Sequence, residues 1–242
     1  MNPSVEEVTA DKFLTWGWTD ARLKSIPAFV FKTAGKQEQR YNPTGGLLLI
    51  EVCLNHRITT WDSHAEFCNY FKQQQDFICQ LDHNIRQQLT IRLHSEFKYH
   101  NWAEEHRWRE FSSDLKIDEG NLHISNLIAK NRLILHSYDS TGILETLSQN
   151  IPTIAFWQNG LDHLRDSVKP SYQLLIDAGI VHLSSDSAAQ KINEIWNNVD
   201  LWWDSHIIQD AREKFCNNFA VVSNTPAIDL KNILEEISSE QK

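Results

Sequence analysis

The sequence has no excess of basic residues. Lys and Arg together number 23 and Asp and Glu number 32, which gives the 242-residue chain a formal charge of −9. Broad binding to nucleic acid or to an anionic membrane needs a basic surface that displaces counterions or meets lipid headgroups. The charge balance therefore predicts no nucleic-acid partner.

Cysteines are few and apolar runs are short. The four cysteines include no C-x-x-C pair, which favours reduced, buried thiols over a disulfide framework or a zinc site. The segment MNPSVEEVTADK is acidic and has no apolar core of the kind found in secretory signals, and no apolar run is long enough to span a bilayer. The sequence predicts a cytoplasmic protein with no integral membrane segment, so that any association with the inner membrane is peripheral.

Several enzyme motifs are missing. The sequence contains no G-x-x-x-x-G-K-[ST], no G-x-G-x-x-G, no H-E-x-x-H and no G-x-S-x-G. The eleven histidines show no metal-ligand spacing, so no metal site is predicted. With 41% apolar and 23% charged residues, the composition is that of an ordinary globular protein.

Short apolar runs alternate with longer amphipathic stretches from Leu47 onward. The first run, LLLIEVCL, is too continuous for a half-exposed strand and is typical of a strand that is buried on both faces. The predicted strands are Leu47–Leu54, Leu89–His94, Leu115–Asp118, Arg132–His136, Pro152–Trp157 and Ile180–Leu183. The predicted helices are Ser63–Gln88, continuous or broken once, and Trp102–Phe111, Leu122–Lys130, Thr141–Gln149, Val168–Ala178, Ser187–Trp196, Leu201–Ala220 and Pro226–Ile237.

Six strands that alternate with helices predict an α/β fold, a doubly wound parallel six-stranded sheet of Rossmann-like type with C-terminal helices. The simplest strand order is 3-2-1-4-5-6. Residues 1–46 are predicted to be a tail, a lead-in with the segments FLTWGW and PAFVF, and a linker, and residues 47–242 the Rossmann-like domain. The strand order reverses between the first and fourth strands, so the ligand crevice is expected where the loops after Leu54, His94 and His136 meet.

The most informative segment is HSYDSTGILETLSQNIPTIAFW, which runs from a strand through a short polar turn into a helix. Ser140, Thr141 and Gly142 stand at the helix start, where unpaired N–H groups and the positive end of the dipole favour an anion. Small residues there would let a phosphate approach the backbone. The alternative is that Asp139 or Ser140 only caps the helix.

Further polar side chains are predicted to line the same crevice. Glu145, one turn into the helix, either accepts hydrogen bonds from a ribose diol or is a solvated helix carboxylate. Arg92 and His94 share a face of the second strand, and His94 at its carboxyl end can donate to a phosphate. Arg57, in the NHR segment after the first strand, lies in a crevice loop as well. We predict that these residues converge on one ligand.

The chain resembles a known family at several separated motifs that occur in the right order. The segments YDSTGILETLSQNIPTIAFW, RDSVKPSYQLLIDAGIVH and SAAQKINEIWNNVDLWW, together with TWGW near the start, look like the C-terminal half of LIC12162-type transferases. That family consists of larger bacterial proteins associated with surface-polysaccharide gene clusters. More distantly, the layout is similar to the donor-binding domain of GT-B glycosyltransferases, including capsule enzymes that use cytidine nucleotides.

The resemblance implies a role for particular residues. His94, and Ser140 with Thr141, would hold the phosphate of a CMP-, CDP- or UDP-linked sugar, and Glu145 would hold the ribose, with no metal cofactor. The acceptor would be a glycan or a lipid-linked glycan. Two positions depart from the pattern: Ser95 replaces the proline that often follows the strand-end histidine, and Asn150 stands where a small residue opens the small-x-Pro ending.

The chain is shorter than the members of the family that it resembles, which leaves more than one hypothesis for its function. Members of the family carry an N-terminal acceptor-binding domain, of which only a lead-in is found here. The chain is then either the donor-binding half of a glycosyltransferase or a non-catalytic nucleotide-sugar-binding module that pairs with a separate acceptor domain, with apolar residues of FLTWGW as its docking surface. A third hypothesis is a sugar-nucleotide epimerase of similar architecture.

Overall fold

The computed structural model describes residues 5–19, 24–35, 40–53 and 63–240. Its strands are β1 (Phe13–Thr15), β2 (Ser25–Pro27), β3 (Gly46–Ile50), β4 (Leu89–Arg92), β5 (Lys116–Asp118), β6 (Asn131–His136), β7 (Thr153–Phe156) and β8 (Val181–His182). Its α-helices are α1 (Val5–Thr9), α2 (Ser63–Gln80), α3 (His83–Arg86), α4 (Glu104–Phe111), α5 (Ile124–Ile128), α6 (Thr141–Ser148), α7 (Lys169–Asp177), α8 (Ser185–Ile195), α9 (Val199–Trp203), α10 (His206–Phe219) and α11 (Pro226–Glu240). Short 3₁₀ helices cover Ser95–Lys98 and Trp196–Asn198.

Strands β3 to β8 form one parallel sheet in the order β5-β4-β3-β6-β7-β8. This is the predicted order 3-2-1-4-5-6, with the switch point between β3 and β6. Ile50 pairs with Arg92 on one side and with His136 on the other. The carboxyl ends of these three strands therefore lie side by side at one edge of the sheet.

The central strands are apolar because both faces of the sheet are covered. Leu47 and Leu49 of β3 belong to a core cluster with residues of α2 and α8, whereas Leu48 packs in a second cluster with residues of α5. All three leucines are fully buried. Alternation along β3 thus supplies two cores at once, which confirms the interpretation of LLLIEVCL as a strand with two buried faces.

Two of the differences between the predicted and the observed elements have a clear physical cause. The first strand ends at Ile50 because the N–H of Val52 bonds to the Tyr70 hydroxyl at 3.0 Å instead of to a neighbouring strand. The single helix predicted over Leu201–Ala220 is two helices, since Ser205 has extended backbone between them. The helix predicted over Ser63–Gln88, continuous or broken once, is observed as two helices, α2 and α3.

The lead-in packs against the C-terminal part of the chain. The N–H of Val30 donates to the Val221 carbonyl at 2.8 Å, and the N–H of Val221 donates to the Trp16 carbonyl at 3.0 Å. Val30 is fully buried in a cluster that also contains Phe215 of α10. In FLTWGW every residue is half-buried or buried, so the prediction of an exposed apolar docking surface there is wrong. The domain boundary at residue 46 stays a prediction.

Two further sequence predictions concern the membrane and the cysteines. In the described part of the chain, no helix is both long and apolar enough to cross a bilayer. The four cysteines, all within described segments, form no disulfide. Cys216 is buried as expected, but Cys68 and Cys79 are exposed on α2, so burial was the wrong expectation for these two.

Candidate functional site

A cleft of about 720 Å³ opens at the carboxyl edge of the sheet, over the switch point. Of the eight predicted binding residues, six line it: Arg92, His94, Ser140, Thr141, Gly142 and Glu145. Asp139 lines a neighbouring pocket, and Arg57 lies outside the described residues. The convergence of the loops after β4 and β6 is thus as the topology requires, and the binding roles of these residues stay predictions.

The start of α6 is open toward the cleft. Ser140 occupies the N-cap position with extended backbone, but its hydroxyl makes no capping hydrogen bond. The carboxylate of Asp139 is used elsewhere: it accepts from the Tyr172 hydroxyl at 3.0 Å and contacts Nε2 of His163 at 2.8 Å. The capping alternative is therefore wrong for these two side chains. An uncapped helix start with a spare hydroxyl is a favourable place for an anion.

Gly142 makes room for a buried histidine beneath this helix start. A Cβ at position 142 would lie 3.0 Å from Cε1 of His136 and 3.3 Å from the Ser140 hydroxyl. The ring of His136 is fixed from the other side, where Nε2 lies 3.2 Å from the Thr146 hydroxyl oxygen. Thr146 in turn donates to the carbonyl oxygens of α6, so the His136 proton sits on Nε2. Burial lowers the pKa of His136 to about 3, which keeps the ring neutral.

Two exposed histidines cap helices at the rim of the cleft. Nδ1 of His94 accepts the N–H of Glu96 at 3.4 Å, at the start of the 3₁₀ helix after β4. Nδ1 of His123 accepts the N–H of Ser125 at 3.3 Å, at the start of α5. In each neutral ring the proton is then on Nε2, which leaves one N–H donor per histidine. Both side chains line the cleft. The sequence signal for His123, a histidine just before a short helix, was missed.

Arg92 lies in the cleft with its charge already matched. Its Nε is 3.2 Å from Oδ1 of Asp118 at the end of β5, and both side chains are largely buried. Its Nη1 bonds to the Leu93 carbonyl and its Nη2 to the Leu122 carbonyl at 3.3 Å. Arg92 therefore joins the ends of two strands, and most of its positive charge is compensated before any ligand arrives.

Glu145 is half-buried and paired with a cation. Its Oε1 lies 2.7 Å from Nζ of Lys32, a lead-in residue 113 positions away, and both residues line the cleft. The Lys32 side chain is 64% exposed, so the pair itself adds little stability. Its effect is to hold the carboxylate at the cleft wall. Lys32 was not predicted, because no local pattern links it to Glu145.

Two buried carboxyl groups lie near the cleft floor. Glu51, which lines the cleft, is 6% exposed, and its Oε1 accepts from Nε1 of Trp108 at 3.1 Å. Burial raises the pKa of Glu51 well above its ordinary value, and the charge of Glu104 adds to this. Burial raises the pKa of Glu104 to about 7, against the opposing effect of Arg107. In both groups burial favours the protonated form of the carboxyl.

We expect Glu104→Gln to change the pH dependence of stability. The folded-state pKa is above the unfolded value near 4.5, so the folded chain binds more protons between pH 4.5 and 7 and the wild type loses stability as the pH rises through this window. The variant should gain on the wild type by up to about 1.4 kcal/mol per pH unit there. Urea unfolding at pH 5, 6, 7 and 8 measures this, with Glu110→Gln on the exposed side of α4 as control. An advantage that does not grow with pH would contradict the buried carboxyl.

A small pocket adjoins the cleft, from which it is separated by Tyr138, a residue that lines both. It has a volume of about 130 Å³ and lies at the carboxyl ends of β6 and β7. Its walls combine aromatic rings with amides and carboxylates: Tyr70, Tyr138, Phe156, Trp157, Gln73, Gln158, Asn159, Asp139, Asp162, His163 and Ser137. Aromatic faces beside hydrogen-bonding groups, with carboxylates and no lysine or arginine among the lining residues, suit an uncharged polar group better than a second anion.

The fold and the cleft define a doubly wound α/β domain with a cleft at the switch point. The sequence matches the model of the LIC12162 family transferases over residues 1–234, so the chain belongs to this family. No curated protein matches the chain. Among solved structures, the wall teichoic acid polymerase TagF, in a structure with CDPG, is similar with 14% identity and a TM-score of 0.41, over 82% of this chain and 45% of that chain. The chain thus spans less than half the length of that polymerase chain.

Proposed function

We propose that this chain is the donor-binding half of a glycosyltransferase that acts with a nucleotide-activated sugar. The observation that carries the proposal is the convergence, in one cleft, of the uncapped start of α6 at Ser140 with the ring N–H donors of His94 and His123. Together these groups offer hydrogen bonds to a phosphate within one cleft.

Each part of a nucleotide sugar has a place in this arrangement. The phosphate would lie against the start of α6 at Ser140 and Thr141, within reach of His94. Glu145, held by Lys32, would accept hydrogen bonds from the ribose diol. The small aromatic pocket beyond Tyr138 would receive the uncharged group that is transferred. Because Arg92 is paired with Asp118, we assign it to positioning the loop and not to neutralising the leaving phosphate.

The biological setting of the proposal follows the family. We propose transfer to a glycan or a lipid-linked glycan in bacterial surface-polysaccharide biosynthesis, in the cytoplasm or peripherally at the inner membrane, from a CMP-, CDP- or UDP-linked donor. A turnover assay on the chain by itself separates this from the module that needs a separate acceptor domain. Release of a glycosylated product by this chain alone would remove the module hypothesis, and hydrolysis or epimerisation without acceptor would favour the epimerase.

Calorimetry with CMP, CDP, UDP and GDP tests the site. We expect one of these nucleotides to bind the intact chain, and His94→Ala and Ser140→Ala each to weaken it about tenfold or more, since a hydrogen bond to a charged group contributes about 1.5–3 kcal/mol. Ser148→Ala, at the other end of α6, and His83→Ala, on α3, are the matched controls and should bind as the wild type does. If no nucleotide binds, or if all variants bind equally, the proposed site is wrong.

A further inference from the structure

One cluster near the cleft shares His94 with the proposed donor site and adds a thiol and a carboxylate that the proposed function does not use. Cys53 follows the end of β3, while His94 and Glu96 follow the end of the neighbouring strand β4. The potential ligand atoms of the three side chains, a thiol sulfur, a ring nitrogen and a carboxylate oxygen, all lie within 4.8 Å of one another. Three different donor types from two adjacent parallel strands meet here at one point.

We infer that Cys53, His94 and Glu96 form a binding site for a divalent transition metal of the zinc type. Sulfur, imidazole and carboxylate are the ligands that Zn²⁺ takes in proteins, and hard cations such as Mg²⁺ do not select a thiolate. Three protein ligands with a fourth position open are the arrangement of zinc sites that bind a substrate or water. The inference stands apart from the proposed function, because the metal would bind with or without a nucleotide.

The geometry needs only a small closure around a cation. Metal–ligand distances of about 2.0–2.3 Å place tetrahedral ligand atoms roughly 3.3–3.7 Å apart, somewhat closer than the upper limit found here. Cys53 is half-buried, whereas His94 and Glu96 are exposed. The two exposed side chains have room to rotate toward the thiol and close the distance. A metal bound at one ring nitrogen of His94 takes its lone pair and leaves the ring proton on the other nitrogen, so the 3.4 Å hydrogen bond from the Glu96 N–H to Nδ1 would be released on binding.

The cluster adjoins the cleft, because His94 lines it. A metal at this point would therefore stand at the edge of the cleft, with its open coordination position available to an anionic ligand. Its chemical role would be to hold a phosphate or carboxylate oxygen, in place of the N–H donor of His94.

Cobalt titration of the full chain tests the site directly. The protein is stripped with EDTA, desalted into buffer with a non-thiol reductant and titrated with Co²⁺, whose thiolate complexes absorb in the near ultraviolet. We expect a saturable band at one equivalent that added Zn²⁺ abolishes. Cys53→Ser should remove the band, and Cys79→Ser, an exposed thiol at the end of α2, should retain it. Absence of a band in the wild type, or its persistence in Cys53→Ser, would overturn the inference.

A second pair of variants keeps the test decisive if Cys53→Ser does not fold. Glu96→Gln changes an exposed side chain and should lower the affinity for Co²⁺ at least about tenfold, since even outer-shell partners of a metal contribute that much. Glu110→Gln, exposed on α4, should not. Equal affinities would overturn the inference. Nucleotide calorimetry in the presence of EDTA reports on the donor site separately, so either idea can fail without the other.

Discussion

Replacing Gly46 by alanine should lower the free energy of unfolding by at least about 3 kcal/mol, the upper end of the usual cost of overpacking. A Cβ at this position would lie 2.3 Å from the carbonyl oxygen of Gln88 and 3.1 Å from Oδ1 of Asn131. The first contact is with backbone, and the Gln88 carbonyl also accepts the N–H of Leu47 at 3.1 Å. Neither strand can withdraw without breaking the start of the central pairing.

The register of the sheet explains why a glycine stands there. Gly46 pairs with Asn131 and Leu47 with Leu133, so the pairing of β3 with β6 shifts between these two residues. Such an irregularity brings backbones closer than a side chain permits. The destabilisation by Gly46→Ala therefore arises at the centre of the sheet, where β3 pairs with β4 and β6.

Urea unfolding followed by tryptophan fluorescence measures this cost. Gly160→Ala is the control, because a Cβ there meets nothing within 4 Å and the substitution bears only the strain of a positive φ of 62°. We expect the control to cost about 1 kcal/mol. A loss for Gly46→Ala no greater than that of Gly160→Ala would contradict the close approach of the strands.

The second large effect is expected from His136 at low pH. Burial lowers its folded-state pKa to about 3, below the unfolded value near 6.5, so the unfolded chain binds more protons between these two values. The contribution of neutral His136 to the free energy of unfolding is therefore fully present above pH 6.5 and is lost as the pH falls toward 3. The contribution should reach about 1.4 kcal/mol per pH unit within the window.

His136→Gln isolates this contribution. The absolute stability of the variant will be lower, because the substitution disturbs a buried side chain with a hydrogen bond to Thr146. The measured quantity is instead the difference between the two unfolding free energies at pH 7, 6, 5 and 4, which should shrink steadily as the pH falls. His83→Gln on α3 removes an exposed imidazole and serves as control. A constant difference across this range would show that His136 takes up its proton in the folded state.

The fold follows from the sequence because its signals are local. Continuous apolar runs such as LLLI and amphipathic stretches between them fix the strands and helices, and the alternation of the two fixes the parallel order. The position of Ser140 at a helix start on the switch point follows as well. These features can be predicted without knowing which residues that are distant in the sequence come into contact.

The missing parts of the site depend on contacts between distant residues. Lys32 meets Glu145 across 113 positions, and Trp108 meets Glu51 across 57. No periodicity connects such pairs, and their consequence, a carboxylate held in place or one with a raised pKa, depends on burial that the sequence does not show. Asp139 shows the same limit, since two hydrogen bonds from the α7 side turn it toward the smaller pocket.

The fully buried Val30 has a practical consequence for anyone who wishes to study the sheet alone. Its apolar cluster is shared with Trp203 and Phe215. A polypeptide begun at residue 47 would lose this covering and leave part of that cluster in contact with water, and it would also lose Lys32 from the cleft wall. A truncated version of this protein should therefore retain the segment around Val30 together with α9 and α10, because these parts form one apolar cluster.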